Sequence, residues 1–412
     1  MELLENPVRP YAWGSRTVIA DLLGEPVPSP HPQAEMWLGA HPGDPSRIVR
    51  ADGARESLLD MLTGDPEGLL GAERSARWEG RLPFLLKVLA ADEPLSLQAH
   101  PSLDQAREGF ARENAAGIPV DASDRNYRDA NHKPELLCAL TEFHALVGFR
   151  DPMETLGLLR ALDVPELSAY VDLLAAQPGP DGLRALFTTW ITLPQALLDE
   201  LVPALQKGAV ALAARDNPSG GDWALEARTA LELSERYPGD AGVLAALLLN
   251  RVVLAPGEAL YLPAGNLHAY LAGAGIELMA NSDNVLRGGL TPKHVDVPEL
   301  LRVLDFTSGP PPVHTGQPEG PWTRYDTPAE EFLLRSWQSD DGLTGCLPVP
   351  DGGARILLAT GGKACVRAGG EVLELPKGGA LFLAAADTGV EVESAAPGTQ
   401  LYLAGDGLRA DS

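Results

Sequence analysis

The spacing of the apolar residues changes twice along this chain, and that excludes any architecture built from one kind of element. From residue 1 to about 150, short apolar runs are broken by Pro and Gly, as in AEMWLGAHPGDPSRIVR and RLPFLLKVLAADEPLSLQAHP. Runs of four to eight residues between turn signals read as strands of an irregular β structure. Between 151 and 249 the repeat lengthens. METLGLLRALDVPELSAYVDLLAA, LPQALLDELVPALQKGAVALAAR and WALEARTALELSERYPGDAGVLAALLL place Leu, Ala and Val every three to four residues, the period of an amphipathic helix. At Arg251 the β pattern returns with VVLAPGEALYLPAGNLHAYLAGAGIELMANSDN.

The expected class is therefore mainly β with an α insertion. Residues 1–150 together with 250–307 form one β domain, 151–249 an inserted helical domain, 308–324 a Pro/Gly-rich linker, and 325–412 a second β domain, a sandwich or barrel. Helices are also expected at 57–77, 102–115 and 298–306. One internal echo joins the two β regions: LAPGEALYL at 254–262 aligns with LPKGGALFL at 375–383. Each gives a turn glycine followed by alternating large residues. The second copy has no counterpart of His268, so only the first can hold histidine chemistry.

Charge narrows the function. Fifty-seven Asp and Glu against 32 Lys and Arg leave a formal net charge of −25. A phosphate backbone needs a basic stripe, so nucleic acid is excluded as a partner, and an anionic membrane surface is disfavoured in the same way. A small anionic substrate stays compatible if a few cations converge on one pocket. The most apolar run, 241–249, is far shorter than the roughly 18 residues of a membrane span. The N-terminus MELLENPVRPYAWG has no apolar core of a signal peptide. Cys138, Cys346 and Cys365 form no close pair, which fits a reducing compartment. A soluble, cytoplasmic, monomeric protein is expected.

Three segments carry candidate chemistry. In Ser96-Leu-Gln98-Ala-His100, positions 96, 98 and 100 share one face of a strand. That face looks either at solvent or at a metal or polar ligand. In DANHKPELL, Pro134 cannot donate to a ladder, so a strand starts at or after it. Glu135 then points opposite to Leu136, as a surface charge or as a ligand drawn inward. In GEALYLPAGNLH, strand, turn and strand bring His268 to a barrel rim or interior, with Glu277, Asn281-Ser-Asp-Asn284, Arg287 and Lys293 following. A glycine pair beside Arg287 permits close backbone approach, and two cations six residues apart suit a phosphate. Two His, one Glu and one Gln make an N/O site open to Zn, Mn, Fe, Co or Ni.

The stretches NPVRPYAWGS (6–15), AEMWLGAHP (34–42), LPFLLKVLAADEPLSLQAHPS (82–102), NYRDANHKPELLCALTEFHALVGFR (126–150) and GEALYLPAGNLHAYLAGAGIELMANSDNVLRGGLTPKHVDV (257–297) together resemble the type I phosphomannose isomerases of the cupin superfamily. The resemblance implies two cupin-type jelly rolls, the first bearing metal and interrupted by the helical domain. It implies one Zn²⁺ per chain on Gln98, His100, Glu135 and His268. Arg287 falls at the family's active-site arginine, and Lys133, Glu277, Lys293 and Ser96 fall on pocket positions. The implied reaction interconverts mannose 6-phosphate and fructose 6-phosphate through a cis-enediol, feeding mannose activation for glycan synthesis or mannose catabolism. Arg287, Glu277 and Lys133 form the catalytic set, and Lys293 with Ser96 holds the phosphate. Glu277 is the first choice of base, with a metal-bound water or a lysine as alternatives. Two rivals share the fold, another metal-dependent cupin enzyme and a non-catalytic sugar-phosphate-binding cupin.

Overall fold

The computed structural model describes residues 1–50, 52–215, 223–343 and 345–408. Its organising element is the strand Phe84–Ala91, FLLKVLAA, in which every residue is buried. A strand covered on both faces loses the apolar–polar alternation and reads as a continuous apolar run. Period two still separates its faces. Phe84, Leu86, Val88 and Ala90 join one large hydrophobic cluster, while Leu85, Lys87 and Leu89 lie outside it. The neighbouring strands behave alike: Leu136 and Cys138 of Glu135–Ala139, and Ile276 and Leu278 of His268–Ala280, enter the same cluster. Glu35, Lys87, Glu135 and Glu277 therefore share the opposite face.

These strands belong to an eleven-stranded antiparallel sheet. Its spine is the 13-residue strand His268–Ala280. The half Gly273–Ala280 pairs with Phe84–Ala91 and Glu135–Ala139. The half from His268 to Ala272 pairs with Phe143–Phe149, with a register shift between Tyr270 and Ala272. Gly273, at φ +115°, is the bend between the halves, and a Cβ there would lie 2.5 Å from the Glu142 carbonyl oxygen. Only glycine fits such an approach.

A nine-stranded sheet packs its Ile356, Leu358, Ala380, Phe382, Tyr402 and Ala404 into the same cluster. Its other face meets a four-stranded sheet through Leu357, Leu381, Leu403, Val366 and Val392. The tail is thus a sandwich, and its inner sheet leans on the back of the sheet that carries Glu135 and Glu277. Both copies of the internal echo form a strand after a left-handed glycine, Gly257 at φ 88° before Ala259–Leu262 and Gly378 at φ 79° before Ala380–Leu383.

Strand membership cuts across the composition-based segments. Glu2–Glu5 pairs with Ala380–Leu383 on one side and Arg47–Val49 on the other, so three early strands complete the tail's sheet. One helical expectation and the reading of the linker are redrawn as well. The stretch 57–77 divides into Leu58–Gly64, Pro66–Leu70 and Ala72–Arg77, because Pro66 cannot continue a helix and Gly71 takes φ +85°. The stretch 308–321 holds two short strands, Val313–His314 and Gln317–Glu319, at sheet edges where proline is tolerated.

Among the described residues, six α-helices from Pro152–Leu162 to Gly242–Ala246 follow one another between the paired strands Phe143–Phe149 and Leu249–Leu254. The first starts where Asp151 accepts hydrogen bonds from the Met153 and Glu154 N–H groups at 2.8 and 3.3 Å, with Pro152 in the first helical position. Their buried leucines form one cluster with Leu97, Ala99, Leu146 and Leu286. The helices thus back the strand Leu97–Ala99 and leave Gln98 on its other face. Among the described residues, no helix is long and apolar enough to cross a membrane.

Candidate metal centre

Three side chains converge from three segments. His100 follows Leu97–Ala99, Glu135 begins Glu135–Ala139 directly after Pro134, and His268 begins the long strand. All three are at most 1% exposed. His100 Nε2 lies 3.3 Å from Glu135 Oε1 and His268 Nε2 lies 3.5 Å from Glu135 Oε2. The Gly265 N–H donates to the His100 carbonyl at 2.8 Å, which fastens the turn before His268 to the first ligand strand.

Protonation decides what this group can hold. His100 Nδ1 sits 2.8 Å from the Asn284 carbonyl and His268 Nδ1 sits 3.0 Å from the Asn266 carbonyl. A carbonyl only accepts, so each Nδ1 carries a hydrogen, and in a neutral ring the Nε2 keeps its lone pair for a metal. Burial lowers His100 to about 4, against the pull of Glu135, so this imidazole is neutral at pH 7. Burial alone would raise the Glu135 carboxyl, yet Lys133 holds it well below the usual carboxylate range. Lone pairs thus face a carboxylate, and His100 Nε2, Glu135 Oε2 and His268 Nε2 are buried with no hydrogen-bond partner. Buried acceptors left this way are costly, and a cation between them removes the cost. The residues therefore fit a metal ion. Gln98, half-buried, lies in register opposite His268, and two imidazoles with a carboxylate suit zinc.

Hydrogen bonds behind the ligands fix their orientation. Asn284 is fully buried, and its side chain accepts from the Arg128 N–H at 2.7 Å and donates to the Asp129 and Asn131 carbonyls at 2.9 and 2.8 Å. One asparagine thus joins the loop before Glu135 to the carbonyl that sets the His100 tautomer.

Beside the triad lies a buried network of charge. Lys133 Nζ is 3.1 Å from Glu135 Oε1. Lys87 Nζ is 2.9 Å from Glu277 Oε2, directly across the sheet, and 3.6 Å from Glu35 Oε1. Burial opposes the charge on Lys87, but Glu277 and Glu35 keep it above its ordinary value. Glu277 is raised by burial, with Lys87 pulling it back. The residue proposed from sequence as a base is therefore one half of an ion pair.

A cationic pole completes the site. Arg287, half-buried on Leu286–Gly289, pairs in register with Gln98. Lys293 is exposed on the segment that follows, and Ser96 is half-buried just before Leu97. Arg287 is lowered by burial and then by Arg128, and Lys293 by burial and then by Arg287 and Arg128, with no carboxylate among the described residues pulling either back. Such a cluster suits an anion.

Sequence reasoning did not single out Lys87, Glu35 or Arg128, and it named Asn284 only within the run Asn281–Asn284. For the first two a signal existed: a lone charge inside an apolar strand is a buried ion in need of a partner. Arg128 and Asn284 join the site only through loop contacts far apart in sequence.

A family model of the phosphomannose isomerase type I catalytic domain matches residues 1–152. The mannose-6-phosphate isomerase of Escherichia coli (strain K12) is 41% identical over 397 residues, covering 95% of this chain and 97% of its own length. Mannose-6-phosphate isomerase 2 of Arabidopsis thaliana is 34% identical, covering 97% and 92%. A crystal structure of mannose 6-phosphate isomerase from Salmonella typhimurium bound to fructose 6-phosphate and zinc superposes with a TM-score of 0.88 at 35% identity, covering 99% of this chain and 100% of that one. These likenesses run through every segment that supplies a site residue, and the chain belongs to the type I mannose-6-phosphate isomerase family.

Proposed function

We propose that this chain is a zinc-dependent aldose–ketose isomerase that interconverts mannose 6-phosphate and fructose 6-phosphate. The observation that carries the reading is the set of three buried, partnerless acceptors on His100, Glu135 and His268. Gln98 joins them as the fourth ligand. A zinc ion there would supply a Lewis acid that polarises a substrate oxygen.

The chain's own residues do the rest. Arg287 presents positive charge to the oxygen that becomes anionic, and Lys293 with Ser96 takes the 6-phosphate. The phosphate then contributes binding energy remote from the reacting carbons and fixes their position. Lys133 holds the Glu135 carboxylate in place. Glu277 is the base we favour: it takes the proton from carbon 2 of the aldose as the electron pair moves toward oxygen 1. Oxygen 1 then takes up a proton, oxygen 2 gives one up, and returning the carbon-2 proton from Glu277 to carbon 1 of the cis-enediol yields the ketose. Burial lifts Glu277 toward the working pH, and Lys87 keeps it ionised when resting.

We also infer that both β regions are cupin-type jelly rolls, the second without metal ligands, and that 151–249 is an insertion in the first. The free cysteines Cys138, Cys346 and Cys365 are in keeping with the cytoplasm.

The test is fructose 6-phosphate formation from mannose 6-phosphate before chelation, after it, and after zinc is restored. Activity lost and then regained is expected. Full turnover by metal-free protein would sink the mechanism, and no turnover with any metal would favour a binding protein.

A further inference from the structure

The loop Arg128–Pro134 leads into Glu135, and its anchoring is uneven. As far as Asn131 it is pinned from the segment 281–284. Asn284 accepts from Arg128, Asn131 Nδ2 donates to the Asn281 carbonyl at 3.1 Å, and Ser282 Oγ donates to the Asn131 carbonyl at 3.2 Å. Pro134 then lacks an N–H. Between them stand His132 and Lys133. The His132 N–H makes only a local bond to Asn131 Oδ1 at 3.1 Å, and Lys133 reaches Glu135.

Among the described residues, the one distant hydrogen bond or ion pair of this pair comes from the tail. His132 Nε2 lies 2.6 Å from Glu331 Oε1, with the side chains 23% and 14% exposed. Glu331 is held firmly. Ala329 and Phe332 on either side are buried in the cluster shared by the two large sheets, and the Gly407 N–H donates to the Glu330 carbonyl at 2.9 Å. The carboxylate therefore has a fixed origin, on the strand-bearing segment that supplies no metal ligand.

We propose that Glu331 is a positioning residue for the active site, acting through His132 to hold Lys133 in the geometry that orients Glu135. The tail sandwich thereby contributes a side chain to the reaction as well as a surface to pack against. This rests on the isomerase reading given above. A charge-assisted hydrogen bond is the right device, because it fixes both the ring and the backbone beside Lys133 without occupying the metal.

The experiment is a double-mutant cycle on zinc-loaded protein, reading kcat and KM for mannose 6-phosphate. Glu331→Ala is expected to lower kcat about tenfold, the scale of a lost outer-shell partner. KM should change less than threefold, and zinc content should stay at the unmodified level. Glu331→Gln, which keeps the size and an acceptor for the imidazole N–H, is expected to recover most of the loss and to fold if the alanine variant does not. In a His132→Ala background, Glu331→Ala should have little further effect. A Glu331→Ala enzyme within twofold of the unmodified one overturns the proposal, and so does an undiminished effect in the His132→Ala background. An unmodified chain that does not isomerise overturns the functional reading instead.

Discussion

At the scale of single residues, charge placement is what distinguishes this site from an ordinary sheet interior. Among the described residues, Arg287 is a half-buried cation without a carboxylate to offset it, an expense that a folded protein sustains when an anion is to be met. Arg287→Ala is therefore expected to cut kcat by roughly 10²–10³-fold, the scale of one lost oxyanion donor, with metal content unchanged. Turnover within threefold of normal would remove Arg287 from the mechanism. Glu277 yields a pH prediction. Its folded value is raised, so the active, ionised form is lost as pH falls through a point above the ordinary carboxylate range. Activity should show an acid limb there, and Glu277→Gln should abolish turnover by at least about 10²-fold while zinc stays bound. Retention of that limb in the Gln variant would assign it to another group.

At the scale of elements, alternation within strands places the site. Phe84–Ala91, Glu135–Ala139 and His268–Ala280 each send one set of side chains to the shared hydrophobic cluster and the other to the charged face. The sequence shows this where polar residues interrupt apolar ones, as in Ser96, Gln98 and His100, whose common face is visible from spacing alone. It hides the pattern in FLLKVLAA, since both faces are covered and only Lys87 betrays a second environment. Which strands neighbour one another is decided by Gly273, where the spine changes partners. Gly273→Ala should push Cβ against the Glu142 carbonyl at a φ of +115° and destabilise the fold by roughly 3 kcal/mol. A denaturant midpoint equal to that of the unmodified protein would show the bend to be dispensable.

At the scale of the whole molecule, three layers of sheet stand behind one charged face, and the chain's beginning ties them together. Glu2–Glu5 sits between Arg47–Val49 and Ala380–Leu383, and Leu4 is buried in the common cluster. Removing residues 1–5 is expected to split the nine-stranded sheet at that point. One buried leucine and two strand ladders are lost, so stability should fall by at least about 3 kcal/mol. The tail should also become the first part cut in limited proteolysis. An unchanged proteolysis pattern would mean that the tail stands without its N-terminal strand.

The sequence alone determined the kinds of element, because periods of two and of 3.6 follow from local backbone geometry. It also determined the identity of the His100, Glu135 and His268 candidates, because Pro134, the alternation at 96–100 and the turn before His268 are short-range signals. Tertiary structure decided the rest. That Glu277 faces Lys87, that Asn284 braces His100, that Glu331 reaches His132 and that Glu2–Glu5 completes the tail's sheet all join residues more than a hundred positions apart. Such contacts are set by strand register and layer packing, which depend on the total fit of two surfaces rather than on any one stretch of chain.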